Sequence, residues 1–412
     1  MSGTGRWAGM ALPAAVMAVM ASVPAAAVAP LSPPLSTPAR DGLQAMRELN
    51  LVVLGNMTTS SQVEGKAFIA GDLNGSSSFG AGRSAQGATP SPRRTLTVGG
   101  NLNANINLNN GPNGNNGPVA TNHGVLVGGN YTVGSINGAA AVDVGGNITG
   151  GGNLNLANGQ VVNAGGNISA SMNGSNASQT VNAGGSINGN ANGAVFNRNL
   201  GAGWNAASTS LATAAEAATL TTNLGALSQA LRGLTLASNP SFVTMGGQGP
   251  IFQAVNGGND FALLNISGGL LNSNEIAFTQ SGGPMPIIIN VSGTSINWRG
   301  NSVGGYNASL NPFLIWNFYE ATSLTIGGAM KHGSILAPLA NLITSGVDLE
   351  GSIVVRNFTQ SGQVHLGTYA GDSNYLPNPV PEPGSWMMMI AGFGLVGAMR
   401  RRRAATEVSL NA

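Results

Sequence analysis

One short segment recurs five times in the first half of the chain, and it restricts the backbone more than any other feature. Val98-Gly99-Gly100-Asn101-Leu102 returns as Val127-Gly128-Gly129-Asn130-Tyr131 and Val144-Gly145-Gly146-Asn147-Ile148. It returns again as Ala164-Gly165-Gly166-Asn167-Ile168 and Ala183-Gly184-Gly185-Ser186-Ile187, and Ile69-Ala70-Gly71-Asp72-Leu73 is a degenerate earlier copy. The first glycines are spaced by 29, 17, 20 and 19 residues, and the long interval holds an Asn-, Gly- and Pro-rich run, 109–118, that reads as a looped insertion. A unit of this length cannot bury an apolar face alone, but stacked units can. The period therefore predicts an all-β chain wound as a parallel β-helix, a solenoid with coils of about 17–20 residues. The flanking aliphatic residues point inward and pack on the next coil. The Gly pairs are expected to supply the positive φ of tight corners. Asn tolerates that region too, and Asn side chains stacked in register form ladders.

The remaining segments fit around this unit. Residues 41–49 read as a short helix, and Leu51-Val52-Val53-Leu54-Gly55 as a buried strand bounded by Gly. In 205–236, Leu220, Leu224, Leu227, Leu231 and Leu234 fall on one helical face, and the Ala-rich run before them favours helix. This predicts one long α-helix packed alongside the coils. From 241 to 369 the pattern returns to β, with strands expected at Phe261–Leu264, Ile287–Ile289 and Phe313–Trp316. Gly333-Ser334-Ile335-Leu336-Ala337-Pro338 is echoed 18 residues later by Gly351-Ser352-Ile353-Val354-Val355. Both β segments are thus expected in one solenoid with the helix inserted between them.

The two ends are of a different kind. Residues 1–29 read as a signal peptide, with Arg6, an apolar stretch and Ala-x-Ala sites at 25–27 and 27–29. Residues 30–43 are a Pro-rich lead-in, 44–370 the body, and 371–383 a linker. That linker ends in Pro381-Glu382-Pro383, where no helix can continue. A hydrophobic run leads to Arg400, Arg401, Arg402 and Arg403, so 384–403 reads as a short membrane segment held on its cytoplasmic side by arginine. Residues 404–412 then form a cytoplasmic tail. In this order the three parts resemble a PEP-CTERM sorting signal. The resemblance implies recognition by an exosortase in a Gram-negative inner membrane and cleavage near Pro-Glu-Pro. It further implies transient anchoring, then delivery to the cell surface or an exopolysaccharide matrix.

Charge follows from the same division. Removing Arg6 and Arg400–Arg403 from 16 basic residues leaves 11, and removing Glu407 from 14 acidic residues leaves 13, a formal charge of −2 for the body. The high pI of 9.2 belongs to the ends, and no basic patch points to nucleic acid. The chain has no Cys, so disulfides do not staple it.

The body, over roughly 44–369, resembles the choice-of-anchor A family. The resemblance rests on Leu51–Gly55, Val63-Glu64-Gly65-Lys66, Ile69–Leu73 and Leu314-Ile315-Trp316-Asn317-Phe318. Ser323-Leu324-Thr325-Ile326-Gly327-Gly328 and the two Gly-Ser-Ile copies complete it. More loosely, the body is similar to bacterial ice-binding proteins. Chemistry is sparse. His123, His332 and His365 lack metal-ligand spacing. Asp348 and Glu350, two apart, share one face of a strand. The Gly clusters are followed by no phosphate-loop Lys, and no Ser nucleophile elbow occurs. No catalytic, cofactor-binding or metal residue is expected. The expected function is a non-catalytic exported structural or adhesive protein that meets exopolysaccharide or other surface glycans. Ice binding and polysaccharide cleavage are the alternatives.

Overall fold

The computed structural model describes residues 37–376, apart from 81–90, 109–122, 133, 139–140, 156–160, 174–179, 190–193, 282–284 and 303–307. These residues are mostly β, with a large parallel sheet and two long helices. Strands repeat because aliphatic triplets such as Leu51-Val52-Val53 alternate sides. Leu51 and Val53 enter the main core, while Val52 enters a second core beneath the helices.

One ladder of the sheet contains thirteen strands. In chain order these are β1 (Leu51–Val53), β2 (Ala67–Ile69), β3 (Leu96–Val98), β4 (Gly124–Val127), β5 (Ala141–Val144), β6 (Val161–Ala164) and β7 (Thr180–Ala183). Then come β8 (Val195–Asn197), β9 (Ala262–Ser267), β10 (Ile287–Ser292), β11 (Leu314–Asn317), β12 (Ser334–Thr344) and β13 (Ile353–Gln360). Every pair is parallel, and the spatial order is β8-β7-β6-β5-β4-β3-β2-β1-β13-β12-β11-β10-β9. The two β segments do share one sheet. Their order is not that of the chain, however. The first strand sits mid-ladder, with Val52 between Phe68 and Val354, and β8 and β9 are the opposite ends.

The long helix explains how the chain covers that distance. The first helix, α1 (Pro38–Glu48), starts with Pro at its first position and a Thr37 cap that accepts the Arg40 N–H at 3.4 Å. The second, α2, spans Ser210–Arg232, shorter at both ends than the expected 205–236 because 202–209 form turns. Ser210 Oγ donates to the Gly128 carbonyl beside β4 at 2.5 Å, and Asn290 Nδ2 on β10 donates to the Leu231 carbonyl at 2.9 Å. Those strands are seven rungs apart, about 34 Å at ~4.8 Å per rung. The helix between the contacts is about 32 Å long at ~1.5 Å per residue. It therefore lies along the ladder. Leu220, Leu224, Leu227 and Leu231 bury against α1 and the outward residues of the central strands, including Phe68, Leu336 and Val354. Gly42 lets the helices touch, since a Cβ there would lie 2.5 Å from the Asn223 carbonyl oxygen.

A second parallel ladder runs through Ser295–Trp298, Ser323–Ile326, the second halves of β12 and β13, Met57–Thr59, Leu73–Ser78 and Leu102–Asn107. A third joins Lys331–His332, Leu349–Glu350 and Val364–His365. Aromatic side chains from the segment between 252 and 318 gather in the main core. Trp298 and Trp316 lie 4.6 Å apart, with Phe252, Phe278 and Phe318 around them.

Candidate binding face

The Gly-Gly-Asn corners form a continuous hydrogen-bonded file. The Oδ1 of one rung accepts the backbone N–H of the next: Asn101 to Asn130 at 2.9 Å, Asn130 to Asn147 at 2.8 Å, Asn147 to Asn167 at 2.7 Å and Asn167 to Ser186 at 2.8 Å. The file extends back through Asp72 and Asn56 to Asn357. The Asn ladder expected from the repeat is present. The reason given for the glycines is corrected. None of the paired glycines of the repeat has positive φ, and among the described residues the non-Gly residues that do are Asn199 and Asn205. The pairs are needed for space. A Cβ on Gly165 would lie 2.0 Å from the Gly145 carbonyl oxygen, and one on Gly166 would lie 2.2 Å from Asn147 Oδ1. The first glycine admits the neighbouring backbone, and the second admits its Asn.

The second ladder turns a file of small polar side chains outward. Asn297, Thr325, Ile343, Thr359, Thr58, Asn74 and Asn103 are register partners in that order. Thr132 and Thr149 pair on the following rungs, and backbone bonds Ser169 N–H to Ile148 and Asn188 N–H to Ile168 continue the run. Ten of these eleven positions carry a hydroxyl or amide, and none is ionisable. All are exposed or half-exposed. At the bend toward the third ladder lies a groove of 440 Å³ lined by Ser60, Gln62, Ser76, Asn105, Asn137 and Gln363 among others. Its walls are mainly hydroxyls and amides, with Ile106 among them and Gln62 Nε2 donating to Gln363 Oε1 at 2.8 Å.

The third ladder collects the ionisable groups. His332, Glu350 and His365 are register partners, and the bridge from Val63 to Val364 sets Glu64 beside His365. His332 Nδ1 lies 2.8 Å from Glu350, His365 Nδ1 lies 3.0 Å from Glu64, and His365 Nε2 lies 3.5 Å from Asp348. Burial pushes the Glu350 carboxyl up, but hydrogen bonds from His332 and Asn311 and the two nearby imidazoles outweigh it, so it sits below its usual range. Burial pulls His365 down, but Glu64 and Asp348 outweigh that and hold it above its usual value. Asp348 and Glu350 do share a face, yet both are occupied: Asp348 also accepts the Gln363 N–H at 2.7 Å. Each carboxylate thus faces an imidazole rather than a cleft. Among the described residues no cluster of His, Asp and Glu is arranged to hold a metal ion. On the inner side of the same ladder, Lys331 is buried over Trp298 and donates to the Gly300 and Ala329 carbonyls, and burial lowers its ammonium to about 8.

The residues expected to carry the sorting signal, Pro381, Glu382, Pro383 and Arg400 to Arg403, lie outside the described residues, as do the expected signal peptide and the segment 384–403. Among the described residues no helix is long and apolar enough to cross a membrane.

The described residues thus form a mostly parallel β chain with a polar outward file on one face and two helices laid on another. Comparison with known families agrees. Residues 42–125 and 116–366 match the family described as "Putative Ice-binding-like adhesive domain". Since the match covers most of the chain, this protein belongs to that family. Residues 379–403 match the PEP-CTERM protein-sorting motif, which implies recognition by an exosortase and, with the adhesive domain, indicates export to the cell surface. No curated protein and no solved structure matches the chain.

Proposed function

We propose that this chain is a non-catalytic adhesive or structural component of the cell surface or extracellular matrix, and that its outward polar file and groove hold glycan chains. The observation that carries this reading is the file itself. Ten amide or hydroxyl side chains on successive rungs offer donors and acceptors at ~4.8 Å intervals. Sugar hydroxyls need such mixed partners, and uncharged ones suit neutral or weakly acidic polysaccharide. The parallel ladders are best understood as coils of one β-helix, each contributing a strand to each of three faces, which keeps the polar face rigid. The resemblance to the choice-of-anchor A family fits a body used with a separable anchor. Residues 381–383 and 400–403 serve as the exosortase signal, and 384–403 holds the chain transiently in the inner membrane before cleavage.

Ice binding is the second reading, favoured by the family description and by the threonine pairs Thr359–Thr58 and Thr132–Thr149. Bulky Ile343 and the asparagines interrupt a regular threonine array. Polysaccharide cleavage would need Asp348 and Glu350 free to act as an acid and a base, and both are paired to histidines.

The test is retention of the purified chain on exopolysaccharide from the producing cell. Wild type should be retained, and a Thr58→Ala, Asn103→Ala double variant should lose at least tenfold in affinity, about 1.4 kcal/mol. Unchanged binding by the variant, thermal hysteresis without retention, or release of sugar fragments would each reject the reading.

A further inference from the structure

Among the described residues the thirteen-strand ladder ends on both sides in a strand with no strand beyond it. Among the described residues β8 pairs only with β7, and β9 only with β10. The main core is also unfinished at these ends. The hydrophobic residues that pack against it while only partly buried are Ala194 and Phe196 at the β8 end, and Val243 and Leu270 at the β9 end. Beyond them Val195 is 57% exposed at one end, and Phe242 is 51% exposed at the other. A groove of 370 Å³ runs beside the outer edge of β9, between Phe242, Val243, Leu264 and Asn265, and at one point Asn239 Nδ2 reaches that edge and donates to the Leu263 carbonyl at 2.9 Å. Residues 242–245 pair antiparallel with 250–255 at the β9 end, but no strand lies on the outer edge of β9 itself among the described residues, and a strand edge without a partner strand beside exposed apolar residues is a template for another strand. Stacked-repeat proteins ordinarily close their ends with polar caps.

The side chains show which strand would fit. A single register file runs through all thirteen strands, one residue each. It reads Asn265, Asn290, Asn317, then Leu336, Val354, Val52, Phe68, Thr97 and Leu126, then Asp143, Asn163, Asn182 and Asn197. The middle is largely apolar where the helices cover it, and both ends are amide ladders. Their bonds all point one way. Asn317 donates to Asn290 at 2.8 Å and Asn290 to Asn265 at 3.0 Å. Asn197 donates to Asn182 at 2.7 Å, Asn182 to Asn163 at 2.8 Å and Asn163 to Asp143 at 2.6 Å. Each donor therefore faces the β9 end. Asn265 is left with a free Nδ2 donor at that end, and Asn197 with a free Oδ1 acceptor at the other. The same holds for the backbone, since the two edges of a parallel ladder are complementary rather than alike.

From this complementarity we infer that the occupant of each end is a second copy of this chain, stacked head to tail with the β9 edge of one on the β8 edge of the next. The Asn265 amide of one copy then donates to Asn197 Oδ1 of its neighbour, and the amide ladder continues across the joint. Phe242 and Val195 lose their exposure in the same contact. Such an interface is heterologous and does not close on itself through a two-fold axis, so it propagates as a filament. Thirteen rungs give an axial repeat of about 62 Å. This inference does not rest on glycan binding, and failure of that reading leaves it intact.

The test uses the full chain in mild detergent, followed by sedimentation velocity and electron microscopy as concentration is raised. Wild type should form linear oligomers with that axial repeat. A lysine on an exposed edge blocks pairing, so Val195→Lys and Phe242→Lys, both at exposed positions, should each stop growth at the monomer. Mixing the two variants should restore one good joint and give dimers and nothing longer. Unfolding midpoints matching wild type show that the variants are folded. A wild-type chain that stays monomeric, single variants that still polymerise, or a mixture that yields no dimer would overturn the proposal.

Discussion

Replacing Gly165 with alanine probes the corner file at one of its two tightest points. The new Cβ would lie 2.0 Å from the Gly145 carbonyl oxygen and 3.0 Å from its carbon. Both atoms are backbone of the adjacent rung, so no side chain can turn aside. Ordinary contact needs about 3.5 Å, and the rungs must part by more than about 1 Å to provide it. Two hydrogen bonds hold them together there: Gly165 N–H to the Val144 carbonyl and Gly166 N–H to the Gly146 carbonyl, both at 2.9 Å. An opening of that size takes both out of bonding range. Each lost bond costs about 1 kcal/mol net, and more where a group is left buried without a partner. With residual strain of about 1–3 kcal/mol, the loss should be about 3–5 kcal/mol, a large share of the ~5–15 kcal/mol that holds a typical domain together. Gly225 is the internal control. It lies inside α2 with nothing within 4 Å of an added Cβ, so Gly225→Ala should stabilise by up to about 1 kcal/mol. Urea unfolding of both full-length variants, followed by circular dichroism, measures the two effects. If Gly165→Ala unfolds within about 1 kcal/mol of wild type, the steric argument for the glycine pairs is wrong.

Asn130→Ala removes the acceptor of the Asn147 N–H at 2.8 Å and should cost about 1 kcal/mol; Asn130→Asp keeps the acceptor, as Asp72 does in its own rung, and should recover most of that loss in the same urea assay. Asn317 is fully buried, donates to the Ser228 carbonyl at 2.9 Å and accepts from Ser228 Oγ at 2.7 Å. Asn317→Ala should cost about 2–4 kcal/mol, with amide exchange accelerated most in the last turns of α2. His365 is held above its unfolded value by Glu64 and Asp348, so its contribution to stability is complete below about pH 6.5 and is lost as pH rises through the folded value. Glu350 is held below its unfolded value, so its contribution is present above about pH 4.5 and is lost as pH falls through the folded value. Urea midpoints measured against pH should therefore be highest between these limits, and His365→Gln should flatten the decline on the alkaline side.

The sequence showed the repeated parallel rungs because each rung needs the same small residues at the same corner, and the aliphatic residues stay in phase with them. It showed the helix because Leu220, Leu224, Leu227 and Leu231 must all face one side. It misassigned the glycines because space and positive φ select the same residue. It could not place β1, because an apolar triplet such as Leu51–Val53 carries no mark of its partner; only the fold seats it against Ile353–Val355. The polar face was invisible for a related reason. Thr58, Asn74 and Asn103 are neighbours in space but belong to separate strands, so no local motif connects them. His332 and Glu350 are 18 residues apart, an interval already visible in the sequence, whereas Glu64 reaches His365 across 301 residues. The two histidines do come near each other, with Glu350 between them.

Cell fractionation with an antibody to the body tests surface delivery most directly. Intact chain should appear in the surface and matrix fraction, shortened by about the length of the sorting segment. A chain lacking 379–403 should fold equally well but accumulate as soluble protein inside the envelope or in the medium. If the truncated and intact chains distribute alike, the terminal segment does not sort this protein, and its assignment to the surface or matrix is contradicted.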